Sequence, residues 1–364
     1  MTTDVVVIGG GVAGLSAAYH LAEAGAATVL LERGPLGSGA SRATADVLRT
    51  YFAGHPLTST LAARSLRTYR DFAALTGTEL PMKQTGYLVL LTEPEQITAF
   101  HADLPAQQAA GIHVELIDEH QARQHNPLIG DLPLLAAAWS PHAYITDTTA
   151  IVTGLATAAR RAGAELRTHC PATTIDPTTG RVDTPQGPLT AHAIVCAAGA
   201  WSAPLAHTAG ITLPLTGAHT QELLTTDPLP PGPDLPVTLH AATGLLIRRH
   251  HDRLLVGMGH PGPDRHAWTT RLTHHLTHTY PSLEGTRLHT AVTGIRDLSP
   301  DRTAFIGRAP QPPHTPMFLY AAGFSGHGLC IAPAAGALIR DLYLGHDPHL
   351  DTRPLAATPD RVTT

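Results

Sequence analysis

Apolar and polar positions follow two rhythms along this chain. Residues 4–33, DVVVIGGGVAGLSAAYHLAEAGAATVLLER, contain both. Val5 to Ile8 form an unbroken apolar run, the pattern of a strand buried on both faces. Val12 to Ala24 then place Leu15, Ala18, Tyr19 and Ala22 at helical spacing, Gly25 supplies a stop, and Thr28 to Leu31 form a second β-rich run. The pattern predicts strand, turn, helix, strand. Further on it predicts an amphipathic helix over residues 58–75, with Leu61, Tyr69, Phe72 and Leu75 inward. A strand follows over GYLVLL from residue 86, then a helix over 148–162 and a strand in ELRTH. AHAIVCAAGA, residues 191–200, reads as an apolar strand breaking at Gly199. QELLTT, TGLLIRR and RLLVGMG alternate with period two, as an antiparallel sheet does. MFLYAAG reads as a last buried strand, residues 331–344 as a last helix, and everything after Gly345 as a polar, loosely held tail.

Proline-rich stretches at 228–236 and 308–316 read as surface connections. Parallel-type strands at the start, middle and end, with antiparallel material between them, predict an α/β fold, α+β when taken whole, made of two domains built from interleaved segments.

Composition narrows the class. The 364 residues are 43% hydrophobic and 15% charged, with a formal net charge of −5. No basic block or arginine stripe suggests nucleic acid as a partner. Lys83 is the only lysine, which with the abundance of Ala, Thr, Pro and His reads as coding bias. The three cysteines, Cys170, Cys196 and Cys330, are too few and too scattered for a disulfide framework and fit a reducing compartment. The N-terminus lacks a basic region and a cleavage site, and no apolar run is long enough to span a bilayer. These features predict a soluble cytoplasmic protein.

Gly9, Gly11 and Gly14 form GxGxxG directly after a strand and at the opening of a helix. In that context Gly9 permits the tight turn, Gly11 lets backbone approach a pyrophosphate, and Gly14 lets the helix pack on the strand. Phosphate oxygens would face the free amides of the helix N-terminus. Glu32 ends the second strand, where a carboxylate accepts from ribose hydroxyls and repels a 2′-phosphate. NADP is thereby disfavoured, while NAD and FAD both stay open at this stretch.

Three further segments occur in order: SRATADVLR after the second strand, AIVCAAGAWS in the middle and AAGFSGHGL near the end. Together with the glycine motif, and over essentially the whole chain, they resemble the FAD-dependent D-amino-acid oxidase, glycine oxidase and sarcosine oxidase superfamily. GLLIRRHHDRLLVGMG and GIRDLSPDRTAFIG resemble that superfamily's substrate-domain strand pair and the strand returning to the flavin. The nearest branch by these segments is that of sarcosine oxidase and its β-subunit.

The resemblance implies a Rossmann-like FAD-binding domain, residues 1–80, 145–215 and 296–364, interleaved with an antiparallel-sheet substrate domain, residues 81–144 and 216–295. It implies that Gly9, Gly11, Gly14, Glu32 and Arg33 hold the pyrophosphate and adenosine ribose, and that Ser41, Arg42 and Ala43 line the flavin. Ala172 would meet the adenine, and Gly199 with Trp201 would close the other side. In GFSGHGL, Gly323, Gly326 and Gly328 would lay backbone against the ring, with His327 and Leu329 in the same turn. The amides there would face the edge that gathers negative charge on reduction.

The reaction implied is oxidation of an amine α to a carboxylate, with hydride passing to flavin N5 and water hydrolysing the imine. A planar guanidinium grips a carboxylate bidentately, so arginine is the residue sought. Arg296, in GIRDLSP, matches the arginine that relatives use for the substrate carboxylate, and Arg49, in VLRTYF, matches one directed at the active site. Arg248 and His260 are further candidates on the sheet.

Departures from relatives are also visible. Leu255 replaces a lysine associated with oxygen activation, Ile247 replaces an aromatic residue, Cys330 replaces a basic residue, and Asp46 stands where glycine is common. These changes point away from sarcosine itself and towards a larger or less polar substrate. Ala43 and Gly294 occupy the positions where relatives attach flavin covalently, so non-covalent FAD is expected. His250/His251 and His274/His275 with His278 invite a metal reading, but no third ligand is evident and no metal is expected.

The implied partners are a small carboxylated amine and an electron acceptor, oxygen or another. A dehydrogenase using a non-oxygen acceptor, a flavin-bearing subunit of a larger complex and a non-catalytic flavin protein are the alternatives. Homo-oligomer and hetero-complex stay equally open.

Overall fold

Val5, Val6 and Val7 are fully buried, as the unbroken apolar run at the N-terminus requires. In the computed structural model, which describes residues 2–358 and Arg361, they lie in the strand Thr2–Ile8 at the middle of a mixed sheet. Thr2–Ile8 pairs in parallel with Thr28–Leu31 on one side and Leu189–Cys196 on the other. Glu165–Arg167 continues the parallel order beyond Thr28–Leu31, and Met317–Ala322 continues it beyond Leu189–Cys196. Phe305–Arg308 closes that side antiparallel to Met317–Ala322.

The helices Val12–Glu23, Pro56–Arg70, Thr148–Arg161 and Gly328–Leu344 share one apolar core with this sheet. Helix-period side chains such as Leu15, Leu61, Ile151 and Ile339 fill it. This is the Rossmann-like arrangement of helices on a largely parallel sheet.

The register brings the chemistry-bearing turns together. Ile8 pairs with Cys196, and Cys196 pairs with Tyr320. The turns that follow these strands, at Gly9–Gly11, Ala197–Gly199 and Gly323–His327, therefore leave the sheet side by side. Two of them open helices, Val12–Glu23 and Gly328–Leu344, whose N-termini point to the same end of the sheet.

A second eight-stranded sheet is ordered Leu288–Asp297, Ala218–Thr226, Arg253–Met258, Leu245–His250, Val237–His240, Tyr87–Leu91, Ala136–Ser140, Glu115–Ile117. Its pairings are antiparallel except where Val237–His240 runs parallel to Tyr87–Leu91. That pair joins the two stretches of chain that build the sheet. The helix Arg265–Thr279 covers one face, fastened by the Trp268 indole, which donates to the Met258 carbonyl at 2.7 Å. A small sheet of Val47–Arg49, Ala143–Thr146 and Met82–Gln84 completes the architecture. Among the described residues no helix is long and apolar enough to cross a membrane.

Several expectations shift. The helix expected over 58–75 is two helices, Pro56–Arg70 and Phe72–Thr76, because the chain pauses at Asp71 and stops at Gly77, φ 74°. The last helix starts at Gly328 rather than near Ile331, so Gly328 and Leu329 are helical. Helices Pro94–Ala109 and Arg265–Thr279 carry weak periodicity, the first with Pro105 inside it, and the apolar pattern did not reveal them. The tail after Gly345 is tied down over much of its length. Leu355 is 1% exposed, the Ala357 amide donates to the Tyr320 hydroxyl at 2.9 Å, and Arg361 donates to both oxygens of Asp301.

The two helices that open at the shared end also pack directly on one another. A Cβ on Gly336 would lie 2.2 Å from Ser16 Oγ and 2.6 Å from the Ser16 carbonyl carbon. Backbone cannot yield as a side chain can. Gly336→Ala is therefore expected to destabilise the protein by about 1–3 kcal/mol, the usual cost of overpacking a core. Thermal unfolding of the variant beside the parent checks this, and an unchanged midpoint would show that the helices can part at no cost.

Candidate active site

A cavity of about 890 Å³ opens at the ends of the parallel strands and runs under the second sheet. Its inner end is built of backbone. Gly9 adopts φ 114°, and a Cβ there would lie 2.3 Å from the Ala197 carbonyl oxygen. Gly14 does not line the cavity but supports it, because its missing Cβ leaves room for the Gly9 carbonyl, which would otherwise sit 1.9 Å away. The helix Val12–Glu23 has no side-chain cap at Gly11. Ser41 supplies one acceptor from across the gap, its Oγ taking the Val12 amide at 3.1 Å.

Glu32 lines the same end, but its carboxylate already accepts from the Gly10 amide at 2.7 Å and the Gly34 amide at 2.8 Å. It thus ties the glycine turn to the second strand while keeping lone pairs free. Arg33 lies 3.4 Å over the Trp201 ring, a cation–π stack that forms a lip. Ala172 and Gly199, the latter at φ 56°, line this part as well.

At the other end the wall comes from Ala43, the Gly326–Leu329 turn and the Leu288–Asp297 strand. Gly326 has φ 85°, and a Cβ there would lie 3.1 Å from Arg296 Nη1, so the turn passes tightly under the guanidinium. A Cβ on Gly294 would lie 2.1 Å from that of Ala43. His327 stands edge-on to Phe52, ring centroids 4.7 Å apart. Burial pushes its pKa well below the usual imidazole value, and the charge of Arg49 adds to the effect. The ring is neutral at pH 7. Cys330 lies on the wall with its thiol against the Val47 carbonyl at 3.3 Å, and burial raises its pKa. It is an inert wall residue rather than a thiolate.

Arg49 and Arg296 both reach the cavity. Arg49 is clamped between the faces of Phe52 and Tyr87, 3.7 and 4.7 Å from their centroids, and donates to the Tyr51 carbonyl. Arg296 donates to the Gly259 carbonyl at 3.3 Å and leaves its Nε without a partner. Burial lowers its pKa, which marks an incompletely solvated cation.

The other two candidates are elsewhere. Arg248 is 2% exposed and does not line the cavity; it pairs with Asp46 at 3.2 Å and donates to the Arg249 carbonyl at 2.9 Å. His260 is exposed beside the cavity, its ring 4.8 Å from that of His219, and is not part of the lining. Arg42 points to solvent, and Gly323 sits behind the lining rather than in it.

Two readings of the departures also change. Ile247 faces the core under the Arg265–Thr279 helix, and Leu246 and Gly257, paired across the strands, face the cavity instead. Leu255 is not in the lining either. Alternation with period two makes any one-residue misplacement a change of face. Asp46, by contrast, explains itself. Its φ is 52°, the region that favours glycine, and its carboxylate accepts from Thr148 Oγ1 at 2.6 Å and from Arg248.

Asp297 escaped the sequence reading. It is 4% exposed and accepts from the amides of Gly323 and Phe324, fastening the glycine turn to the strand that carries Arg296. Burial raises its pKa, and the two amide donors oppose that rise. Its position beside Arg296 in GIRDLSP was the available signal, although a lone Asp after an Arg is too common to single out. Arg302 likewise lines the cavity and was not foreseen.

Known proteins share this architecture. A family model described as FAD dependent oxidoreductase, DAO, matches residues 4–342. Glycine oxidase of Geobacillus kaustophilus (strain HTA426) is 27% identical over 369 residues, covering 98% of this chain and 96% of that protein. Mitochondrial dimethylglycine dehydrogenase of Rattus norvegicus is 28% identical over 381 residues, and the match covers 96% of this chain but only 44% of that longer protein. The crystal structure of L-proline dehydrogenase from P. horikoshii superimposes with a TM-score of 0.87 at 25% identity, covering 98% of this chain and 97% of the other.

His327 also sets a pH dependence. Its folded pKa lies below its unfolded one, so the folded state binds the proton less well, and stability is lost as pH falls through the unfolded value near 6.5. Between about pH 6.5 and 5.5 this one residue is expected to remove on the order of 1 kcal/mol. Urea unfolding at several pH values should show a smaller acid loss in His327→Phe than in the parent. Identical pH profiles would mean that His327 titrates normally.

Proposed function

Because the chain belongs to the FAD-dependent oxidoreductase (DAO) family, we propose that it oxidises the carbon–nitrogen bond of a small amine or amino acid that carries a carboxylate. One observation carries the reading. Arg296 lines the same cavity as the glycine cradle, incompletely solvated and, among the described residues, without a carboxylate partner. A bidentate guanidinium in that state suits a substrate carboxylate.

The residues fit FAD. The close-packed turns at Gly9 and Gly14 leave the uncapped amides of the Val12–Glu23 helix for the pyrophosphate. Glu32, with lone pairs to spare, is placed for ribose hydroxyls, and Ser41, Ala43 and the Gly326–Leu329 turn form the walls for the ring. Bound FAD supplies the two-electron acceptor that takes the hydride from the carbon bearing nitrogen. Non-covalent attachment is supported by Ala43 and Gly294, neither of which carries a side chain able to link a flavin, and a Cβ on Gly294 would already lie 2.1 Å from that of Ala43.

The protein's own part is orientation and electrostatics. Arg296 holds the carboxylate and so sets which face of the substrate carbon is presented. Arg49, immobilised by Phe52 and Tyr87, contributes a fixed positive charge near His327. His327 is neutral and shapes the turn, so it does not repel the amine. The uncapped N-terminus of the Gly328–Leu344 helix directs its dipole at the same place.

The division into residues 1–80, 145–215 and 296–364 for the cofactor and 81–144 and 216–295 for the substrate is supported by the separation of the two large sheets. The finer placement beside the sarcosine oxidase branch rests on the sequence segments alone; glycine oxidase and dimethylglycine dehydrogenase relatives fit the wider superfamily equally well.

A dehydrogenase reading is favoured over an oxidase by one observation. Lys83, the chain's only lysine, is on the surface paired with Asp234, so no lysine is available to promote the reaction of oxygen. Reduction without air followed by slow reoxidation in air is the expected behaviour. Rapid reoxidation would select the oxidase.

Arg296→Ala is expected to weaken binding of carboxylated amines by at least about ten-fold, the loss of a charge-assisted bidentate contact, while FAD content per chain stays unchanged. Ligand titration together with the flavin spectrum of the purified variant measures both. Unchanged affinity would remove Arg296 from the site, and a preparation without flavin would end the proposal.

A further inference from the structure

Positive charge around the cavity exceeds what one carboxylate needs. Arg49, Arg296 and Arg302 all line it, and no salt bridge joins any of the three to an acid among the described residues. Asp297, the acid beside them, is turned away to the amides of Gly323 and Phe324. The charges act on one another: Arg302 adds to the lowering of the Arg296 pKa, and all three arginines act on His327. Like charges gathered on one cavity repel one another and raise the local concentration of anions.

Arg302 is displayed rather than stowed. It lies in the turn between Leu288–Asp297 and Phe305–Arg308 at φ 60°, a left-handed conformation that costs a non-glycine residue on the order of 1 kcal/mol. The turn is held from both sides, since the Arg302 amide donates to the Ser299 carbonyl at 3.3 Å and the Thr303 amide to Asp301 Oδ1 at 3.0 Å. Asp301, the neighbour that would otherwise neutralise it, is occupied by Arg361 at 2.7 and 2.9 Å. The guanidinium of Arg302 is exposed at the cavity rim with no hydrogen-bond partner among the described residues.

Resting on the reading of the site given above, we propose that the substrate carries a second acidic group, which Arg302 holds at the rim while Arg296 holds the carboxylate next to the reacting carbon. The substrate class is then an amino acid or secondary amine with two acidic groups. Both contacts use the same fork geometry, and the rim contact is weaker because water screens it.

Isosteric pairs test this on the FAD-loaded protein: iminodiacetate against its monoamide, and glutamate against glutamine, each enantiomer separately. Binding is read by anaerobic calorimetry and reduction by loss of flavin absorbance. The diacid of at least one pair is expected to bind about two- to five-fold more tightly than its amide at low salt, with the advantage shrinking as salt is added. Arg302→Gln should bring the two members of that pair close to equal by weakening the diacid far more than the amide, and Arg302→Lys should keep part of the difference. Equal affinities for acid and amide, with either one bleaching the flavin, overturn this inference and leave the proposed function standing. A diacid preference that survives Arg302→Gln overturns the assignment to Arg302. If none of these compounds binds while another carboxylated amine bleaches the flavin, this inference falls and the proposed function stands; if no carboxylated amine bleaches the flavin, both fall.

Discussion

At Gly9 the chain passes so close to Ala197 that no side chain fits between them, and at Gly14 the first helix rests on the Gly9 carbonyl. These contacts of backbone with backbone set the position of everything else around the cavity. Around them three neighbouring strands, in register at Ile8, Cys196 and Tyr320, release their turns at the same end of the sheet. They also bring two uncapped helix N-termini to the same end of the sheet. An inner end walled by peptide groups offers donors that cannot rotate away, which is what an extended phosphate-bearing cofactor requires.

The second sheet contributes charge to that frame. Arg296 reaches the cavity from a strand whose next residue, Asp297, is bonded to the glycine turn opposite. Arg296 and the Gly323 turn are thus fixed to each other through one buried carboxylate. Removing that carboxylate would leave two buried amides without an acceptor, at a cost of about 1–3 kcal/mol each. Arg49 is held differently, by aromatic faces, and needs no acid to stay in place. The positive end of the cavity is therefore rigid without being neutralised.

The parts of the site made of glycine were the most legible in the chain. GxGxxG and GFSGHGL announce turns because backbone geometry depends on the residue itself, and both turns line the cavity. The helix start at Gly11 follows from the same local rule, whereas the last helix opens at Gly328, ahead of where the apolar pattern places it. Side chains on the sheet were much less legible. Arg248 and Leu246 are two residues apart on the same strand, yet one is buried against Asp46 and the other lines the cavity. Ile247 between them faces the opposite core. Strand alternation says only that neighbours differ; which face meets the cavity depends on how the sheet is placed.

The amino-acid sequence by itself determined the strand–turn–helix at the N-terminus, the second glycine turn, the α/β class and the superfamily, because each follows from local propensity or from motifs read in order. The tertiary structure alone decided which arginines share a cavity, that Asp297 bridges the turn and the strand, and that among the described residues Arg302 has no acid partner while Asp301 is taken by the tail. Those outcomes depend on residues far apart in the chain. Arg361 reaches Asp301 across 60 positions, and only the folded packing can say which of two adjacent charges is paired.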